Sequence, residues 1–482
     1  MRAFAVFLKR SLENKTMKGG IVMSDNKQNI TVDTTGTSPA LLPTKPEMRK
    51  LTMAGYIIIW AAMVTNMGGF TMGAQFVPAL SPMMFVLVIL VAYTLVTGMI
   101  ALTGDIGIKY GIPWSAYIRA PFGVLGARIP TVARVLPCFF WCGFQTWLGA
   151  TAISVVTDMI FGWSNVTLVI IILMILQVLN AALGMGAIAK FDWIAVPCLG
   201  VMIVAVAVYS LTSTGTTIPQ VFAIPATGGG NFLFAVTSIA GIWITMGLNN
   251  LDITRSMTKY PEHDNPNFFT RNRKIIFGAV IGLILCGASV LLTGMISGLL
   301  TGVWNPIDII RTAFDDNVLI LILAMLCVVF AQWSTNTAAA LMPGGYLLCN
   351  IFPKLNYKGA VIVTGIIACI VSLLIVPLGI LRFVATITAV FAALVGPIGG
   401  ILIADYYLLR KRNLDLNLLY DRENNKVNPR ALIVYIPCTI LSLIFVTYAF
   451  FVGFGLSLIT YYLIMKNQFN SDGAPKNAPA KQ

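Results

Sequence analysis

A run of five polar side chains, at residues 333–337, interrupts an apolar stretch from 318 to 348 that otherwise predicts one membrane-spanning helix. Polar groups in hydrocarbon must face protein, water or a ligand. Ala331, Ser334 and Thr335 are spaced i, i+3, i+4 and therefore share one face of that helix. Two hydroxyls and a freed backbone carbonyl on one face could form half of a site for a small cation. The alternative is that the hydroxyls donate to carbonyls of their own helix, one turn earlier.

A second candidate pair is Trp141 and Gln145, which lie four residues apart in another apolar stretch and so share a helix face. A buried glutamine needs partners for two donors and an acceptor. Beside an indole, it suits a flat heteroaromatic ring or cyclic amide, because the ring can stack on Trp141 while the carboxamide pairs with the lactam edge. The alternative is a tryptophan that packs helices and a glutamine that bonds a neighbouring helix.

Two further residues could complete this site. Trp243, from a later helix, could enclose the ring from the other side, and Asn66 lies at a polar interruption where its amide could face the substrate. Asp252 and Arg255 fall at the end of the helix that carries Trp243. For these two charges an ion pair or an intracellular gate is favoured over substrate contact.

The helices with these candidate residues carry no Asp, Glu, Lys, Arg or His in their middle parts. A proton-coupled pump usually needs a titratable group inside the membrane. Hydroxyls, amides and backbone carbonyls instead suit a hard cation, so we predict sodium as the coupling ion and no other cofactor. The eight cysteines all lie in apolar stretches, and the single histidine is in a polar loop, so no metal cluster or disulfide framework is predicted.

The composition defines the class of fold. Hydrophobic residues make up 57% of the 482 residues and charged residues only 10%, which predicts an all-α polytopic membrane protein. All 32 Lys and Arg except Arg311 and Arg382 fall in segments that are inside when the N-terminus is inside. Both termini are therefore predicted to be cytoplasmic, and the net charge of +14 reflects topology rather than nucleic-acid binding. The twelve predicted transmembrane helices are 52–77, 82–104, 127–158, 166–186, 191–213, 231–251, 274–300, 317–349, 359–379, 382–409, 430–447 and 449–466.

The first ten predicted helices divide into two sets of five. The first helix of one set is interrupted at residues 65–69, and that of the other carries Gly241, Gly247 and Asn249-Asn250. Interruptions at corresponding positions predict inverted repeats with broken helices, although ordinary packing glycines are the alternative. The predicted organisation is a disordered cytoplasmic tail at 1–50, repeats at 51–213 and 231–409, two peripheral helices within 430–466 and a cytoplasmic tail at 467–482.

The start of translation is a separate hypothesis. Lys18-Gly19-Gly20 stands just before Met23, and a ribosome-binding sequence read in frame would encode Lys-Gly-Gly. We therefore expect translation to begin at Met23 rather than Met1.

Taken together, the motifs resemble the nucleobase:cation symporter-1 family, which includes cytosine, uracil and allantoin permeases and the hydantoin transporter. The resemblance spans about residues 50–465 and is carried by Trp-x-x-x-Gln from Trp141, by Trp243 nine residues before Asp252, and by Trp-Ser-Thr-Asn from Trp333. Further matching motifs are Tyr110-Gly111-Ile112-Pro113, Arg119-Ala120-Pro121-Phe122-Gly123, Gly396-Pro397-Ile398-Gly399 and Ala404-Asp405-Tyr406-Tyr407.

The resemblance implies a five-plus-five inverted repeat of leucine-transporter type with two extra C-terminal helices. It also implies that backbone carbonyls of Ala62, Thr65 and Ala331, with the hydroxyls of Ser334 and Thr335, hold the cation. Substrate contacts would come from Trp141, Gln145, Trp243 and Asn66. One position departs from the pattern: hydantoin-type members have an asparagine where this chain has Ala340, and Asn336, one turn earlier, could compensate.

We therefore predict a transporter, not an enzyme, that imports a nucleobase or a similar cyclic amide or ureide with sodium by alternating access. We expect it in the inner membrane of a bacterium, in contact with lipid and with its planar heterocyclic substrate but not with nucleic acid. The alternative within transport is a proton-coupled carrier of a vitamin or amino acid on the same scaffold. A channel is disfavoured because the polar positions cluster at one depth, and a receptor because both tails are short.

Overall fold

The computed structural model describes residues 33–476 apart from 35, 316 and 424, and within the helix Met185–Ser213 it does not describe the side chains of 185–191, 194 and 195. The predicted start at Met23 lies outside the described residues. The α-helices are α1 Met53–Val64, α2 Met67–Gln75, α3 Pro82–Tyr110, α4 Trp114–Tyr117, α5 Arg119–Phe122, α6 Arg128–Phe161, α7 Val166–Ala182, α8 Met185–Ser213, α9 Ile218–Ala223, α10 Phe232–Leu248, α11 Asn250–Thr254, α12 Phe268–Ala279, α13 Ala288–Thr301, α14 Pro306–Phe314, α15 Val318–Thr335, α16 Met342–Ile351, α17 Tyr357–Leu374, α18 Val384–Ile403, α19 Pro429–Ile444 and α20 Ala449–Met465.

The described chain is helical, as the composition predicts. Nine of its helical segments are long and apolar enough to cross a membrane, and there are ten if the bent pair α1 and α2 counts as one broken span. Two shorter apolar helices, α7 and α19, lie where two further spans are predicted. The all-helical membrane fold is thus confirmed, while the number twelve and the inverted-repeat layout stay predictions.

The first predicted interruption is present, between α1 and α2. The two helices meet at an angle of 52°. Thr65 ends α1, and Asn66 is extended, with φ −133° and ψ 160°. The Asn66 side chain accepts a hydrogen bond from the Gly69 N–H at 3.1 Å and donates to the Met63 carbonyl at 2.8 Å. Asparagine is a strong helix N-cap, so a local sequence signal accounts for the break.

The second predicted interruption differs in position. Helix α10 runs without a break through Gly241 and Trp243, and the chain departs from helical geometry only at Asn249. A Cβ on Gly241 would lie 2.2 Å from the Thr388 carbonyl oxygen, so this glycine permits close packing of α10 on α18. The packing interpretation of Gly241 is therefore correct, and the helix is interrupted only at Asn249-Asn250, the last of the predicted positions.

The predicted disordered tail is wrong for its last part. Residues 36–50 form two short 3₁₀ turns and pack against the helices at their predicted cytoplasmic end. Leu41 is fully buried, and its carbonyl accepts a hydrogen bond from the Tyr420 hydroxyl at 2.9 Å. Arg255 donates to the Ala40 and Leu42 carbonyls and to the Thr44 hydroxyl. The segment is held by long-range contacts that its polar composition does not reveal.

The polar stretch first noted in the sequence changes helix type. After Thr335, α15 continues as a π-helical segment, Asn336–Leu341, which leads directly into α16. Short π-helical segments are rare and are often found at functional sites. Here the segment lies at the centre of the bundle, because Ser334, Thr335 and Asn336 are all buried.

Candidate functional site

A buried cavity lies between α6, α10 and the π-helical segment. The atom-free space in the cavity and its opening together is about 360 Å³. Four of the five residues predicted to contact substrate line it, namely Trp141, Gln145, Trp243 and Asn336. The remaining lining residues are Arg134, Pro137, Cys138, Ile242, Thr245, Met246, Thr335, Ala339 and Ala340. Residues from three separate stretches of sequence therefore meet at one site.

Three polar atoms in the cavity lining have no hydrogen-bond partner among the described residues. They are the indole Nε1 of Trp141, Oε1 of Gln145 and Oδ1 of Asn336, and all three are buried. Buried polar groups in proteins are nearly always paired, so unpaired ones on a cavity wall suit a polar ligand. The set comprises one donor and two acceptors, which complements a heterocycle that offers a carbonyl and ring N–H groups.

Hydrogen bonds to neighbouring helices fix the Asn336 carboxamide. The two hydrogens on its Nδ2 are shared among three acceptors, the Cys142 carbonyl at 3.1 Å, the Thr146 hydroxyl at 2.9 Å and Gln177 Oε1 at 3.0 Å. These contacts connect the π-helical segment to α6 and α7. Since the nitrogen is fully engaged, the oxygen is the part of Asn336 left for a ligand.

Aromatic contacts orient the two tryptophans. Trp141 meets Phe140 and Phe144 edge-to-face, with ring centroids 5.3 and 5.7 Å apart. Trp243 packs against Trp60 with a centroid distance of 6.4 Å. The two indoles thus belong to different helices, α6 and α10, and each is held by its own aromatic neighbours, as a fixed stacking surface requires.

Arg134 also lines the cavity and is absent from the predicted set. It is 1% exposed, and its Nε donates to Asn249 Oδ1 at 2.7 Å and to the Thr245 carbonyl at 3.0 Å. It stands seven residues before Trp141, two helical turns away on the same face. Because Arg134 lies near the start of its helix, where a charged side chain ordinarily faces solvent, its position in the sequence does not indicate a place in the cavity.

The predicted cation face brings oxygen atoms from two helices together. The Thr335 hydroxyl lies 3.0 Å from the Ala331 carbonyl oxygen and 3.4 Å from that of Ala62. It also donates to the Met63 carbonyl at 3.0 Å. The end of α1 and the end of α15 therefore meet at a cluster of neutral oxygens, in the chemistry that hard cations prefer.

Two other predicted ligands of the cation have different neighbours. Thr65 is buried at the end of α1, and its hydroxyl donates to the Ala61 carbonyl at 2.7 Å. Ser334 is fully buried, and its hydroxyl donates to Asp192 Oδ1 at 2.5 Å. The prediction that only hydroxyls, amides and backbone form the polar centre is wrong, because α8 brings a carboxyl group to it. In the sequence, this carboxyl group is indicated by Asp192 alone, which stands at the edge of the otherwise apolar predicted helix 191–213.

The remaining candidates have structural partners. The Asn66 amide bonds the local backbone at the break, and Asn66 is not among the described residues that line the cavity. Asp252 accepts hydrogen bonds from the Trp114 N–H and from Asn249 Nδ2, both at 2.8 Å. Arg255 donates instead to residues 40–44, so the predicted ion pair between Asp252 and Arg255 is replaced by separate contacts.

Membrane-spanning helices around an aromatic and amide-lined cavity are typical of a transporter of small molecules. A family model described as a permease for cytosine/purines, uracil, thiamine and allantoin matches residues 43–464. The chain belongs to this family.

Individual relatives cover most of the chain. The hydantoin permease of Microbacterium maritypicum is 28% identical over 440 residues, which is 89% of this chain and 88% of that protein. The allantoin permease of Bacillus subtilis (strain 168) is 26% identical over 464 residues, which is 88% of this chain and 92% of that protein.

A solved structure is also similar: Mhp1, a nucleobase-cation-symport-1 family transporter, in a closed conformation with bromovinylhydantoin bound. Its TM-score is 0.84 at 26% identity, over 91% of this chain and 98% of that chain. The relatives are permeases, which confirms the prediction of a transporter rather than an enzyme and the family resemblance.

Proposed function

We propose that this protein imports a nucleobase, or a related cyclic amide or ureide such as a hydantoin or allantoin, together with a sodium ion. One observation supports the proposal: the consecutive residues Thr335 and Asn336 contact, respectively, an oxygen cluster and the adjoining cavity. The Thr335 hydroxyl is within the oxygen cluster between α1 and α15, while Asn336 presents an unpaired oxygen to the cavity. An ion and an organic substrate bound there would act on the same turn of helix.

The substrate class follows from the unpaired atoms of the cavity. A planar ring can stack against the Trp141 and Trp243 side chains. Its N–H groups would donate to Gln145 Oε1 and Asn336 Oδ1. The names of the relatives, which include hydantoin, allantoin and cytosine permeases, support this class.

Sodium binding and substrate binding would be coupled because both ligands stabilise the same conformation of the protein. A sodium ion held by carbonyls of Ala62 and Ala331 and by the hydroxyls of Ser334 and Thr335 would fix the end of α1 against α15. Substrate in the cavity would favour the same arrangement, because Asn336 follows Thr335 directly. Each ligand then raises the affinity of the other by the same factor. Thr65 remains a predicted further ligand through its carbonyl.

The test is sodium-dependent uptake in vesicles by the wild type and by Ser334→Ala and Thr335→Ala. Each variant loses one oxygen ligand, so the sodium concentration for half-maximal uptake should rise about 10-fold or more while the order of preferred substrates stays the same. Ser289→Ala removes a hydroxyl from an exposed position of α13 and should behave as the wild type.

Uptake that ignores sodium in the wild type and in both variants would contradict the proposal. If such uptake followed an imposed pH gradient instead, the proton-coupled alternative would take its place.

A further inference from the structure

Asp192 is a carboxyl group buried at the junction of three helices. Its helix, α8, packs against both α1 and α15, the two helices whose ends form the oxygen cluster. The Asp192 side chain is fully buried. Its Oδ1 accepts the Ser334 hydroxyl at 2.5 Å, whereas Oδ2 has no hydrogen-bond partner among the described residues.

A single hydroxyl donor does not satisfy a buried carboxylate. Such groups in proteins are paired with cations, coordinate metals or bind a proton, because an isolated buried charge is costly. The sequences of α1, α7, α13 and α15, which pack against α8, contain no Lys, Arg or His. Helix α14 carries Arg311, whose side chain is exposed. On α8 itself, the side chain of Lys190 lies outside the described ones.

We propose that Asp192 is an additional ligand of the cation site and gives that site a negative charge. This inference rests on the proposed sodium coupling. The Ser334 hydroxyl donates its hydrogen to Oδ1 and keeps its lone pairs for the ion, while Oδ2 is free to bind the ion directly. The other predicted ligands are neutral, so Asp192 is the group that makes sodium binding charge-compensated.

The charge can be removed with little change of shape. Asp192→Asn keeps the size of the side chain and a carbonyl oxygen to accept the Ser334 hydroxyl. We expect it to raise the sodium concentration for half-saturation by about 10- to 100-fold. Binding of radioactive sodium to the purified full-length protein measures this directly, and the sodium-dependent rise in melting temperature measures it independently. Asp158→Asn, the same change at an exposed position of α6, should leave both measurements as in the wild type.

A double variant separates a ligand from a residue that only positions Ser334. If Asp192 acts only through Ser334, then Asp192→Asn has no further effect on sodium binding in a Ser334→Ala background. If Asp192 binds the ion, the double variant binds sodium more weakly than Ser334→Ala alone. Asp192→Ser, also neutral, replaces Asp192→Asn in both comparisons if the asparagine variant does not fold.

The outcomes distinguish the two proposals. Unchanged sodium affinity in the Asp192 variants, with weakened affinity in Ser334→Ala and Thr335→Ala, would overturn the role of Asp192 and leave sodium coupling intact. A wild type that binds no sodium would overturn both.

Discussion

At the scale of single residues, the cavity is defined by atoms that the protein leaves unpaired. Gln145 Oε1 and Asn336 Oδ1 are acceptors and Trp141 Nε1 is a donor, and each is buried. Their types were apparent from the sequence, since Trp141 and Gln145 are one turn apart on a helix. That they meet Asn336 depends on how α15 packs on α6, which helix periodicity does not reveal.

Gln145→Ala should weaken substrate binding by removing one acceptor from the cavity wall. A hydrogen bond of this kind contributes about 0.5–1.5 kcal/mol, so the dissociation constant should rise roughly 2- to 12-fold. Quenching of tryptophan fluorescence on titration with substrate measures this. The matched control is Gln75→Ala. The Gln75 side chain donates a hydrogen bond to the Leu381 carbonyl and does not line the cavity. Equal affinity in Gln145→Ala and the wild type would remove Gln145 from the site.

Ala340→Asn should shift the substrate preference towards hydantoins. Ala340 lines the cavity and occupies the position where hydantoin-type relatives are expected to have an asparagine. An added amide supplies one further hydrogen bond, worth about 1 kcal/mol, or roughly a fivefold gain in relative affinity. Competition of hydantoin against uracil for transport reports the change. Ala339→Asn, at the preceding residue of the cavity wall, should not change the preference. A change of equal size in that variant would contradict the assignment of Ala340 as the residue that sets substrate preference.

At the scale of elements, the break between α1 and α2 couples a local signal to the ion site. Asn66 caps α2, and the Met63 carbonyl that accepts its amide also accepts the Thr335 hydroxyl. The sequence predicted this break correctly because capping is a local property of the chain. For the second break it included Gly241 as well as Asn249-Asn250, but only the asparagines interrupt the helix, because Gly241 serves packing against Thr388 on a distant helix.

Asn66→Ala should lower stability and sodium affinity without changing which substrates bind. Loss of an N-cap costs about 0.5–2 kcal/mol, and the end of α1 loses its anchor. Asn66→Ser retains a capping hydroxyl and should recover most of the loss. Melting temperatures and sodium titrations of the two variants measure this. If Asn66→Ser instead altered the substrate preference as strongly as Asn66→Ala, the predicted substrate contact would be correct and the capping role secondary.

Helix α8 illustrates what the sequence alone could not provide. Asp192 stands at the edge of an apolar stretch, where a solvated helix end is the ordinary expectation. Only the packing of α8 against α1 and α15 places its carboxyl beside Ser334. The neutral half of the oxygen cluster could be predicted from i, i+3, i+4 spacing, whereas the charged group comes from a contact 142 residues apart.

At the scale of the whole molecule, a buried charge network joins distant segments at the predicted cytoplasmic end. Asp105 of α3 bonds Arg271 of α12 at 3.0 Å and Arg412, in the loop before α19, at 3.0 and 3.1 Å. Burial alone would lower the pKa of Arg412, but the Asp105 carboxylate raises it, so the guanidinium stays charged. Together with residues 36–50 these contacts connect both predicted repeats on one face.

Asp105→Asn should destabilise the fold, because two guanidinium groups lose their common carboxylate. Removing one member of a buried charge network costs about 3–5 kcal/mol, and the melting temperature should fall by several degrees. Asp264→Asn, at an exposed position whose ion-pair partner is Lys259, should have little effect. A melting temperature for Asp105→Asn equal to that of the Asp264 variant would show that the network is not a stabilising one.

The central claim is that sodium and a planar heterocycle bind adjoining sites and stabilise one conformation. Counterflow in proteoliposomes tests it directly, with labelled cytosine, uracil, allantoin and hydantoin assayed in sodium and in potassium. We predict that at least one of these compounds exchanges, that sodium increases its apparent affinity, and that Thr335→Ala requires about 10-fold more sodium, or above, for the same increase. Exchange of a heterocycle at the same affinity in both salts would contradict the claim.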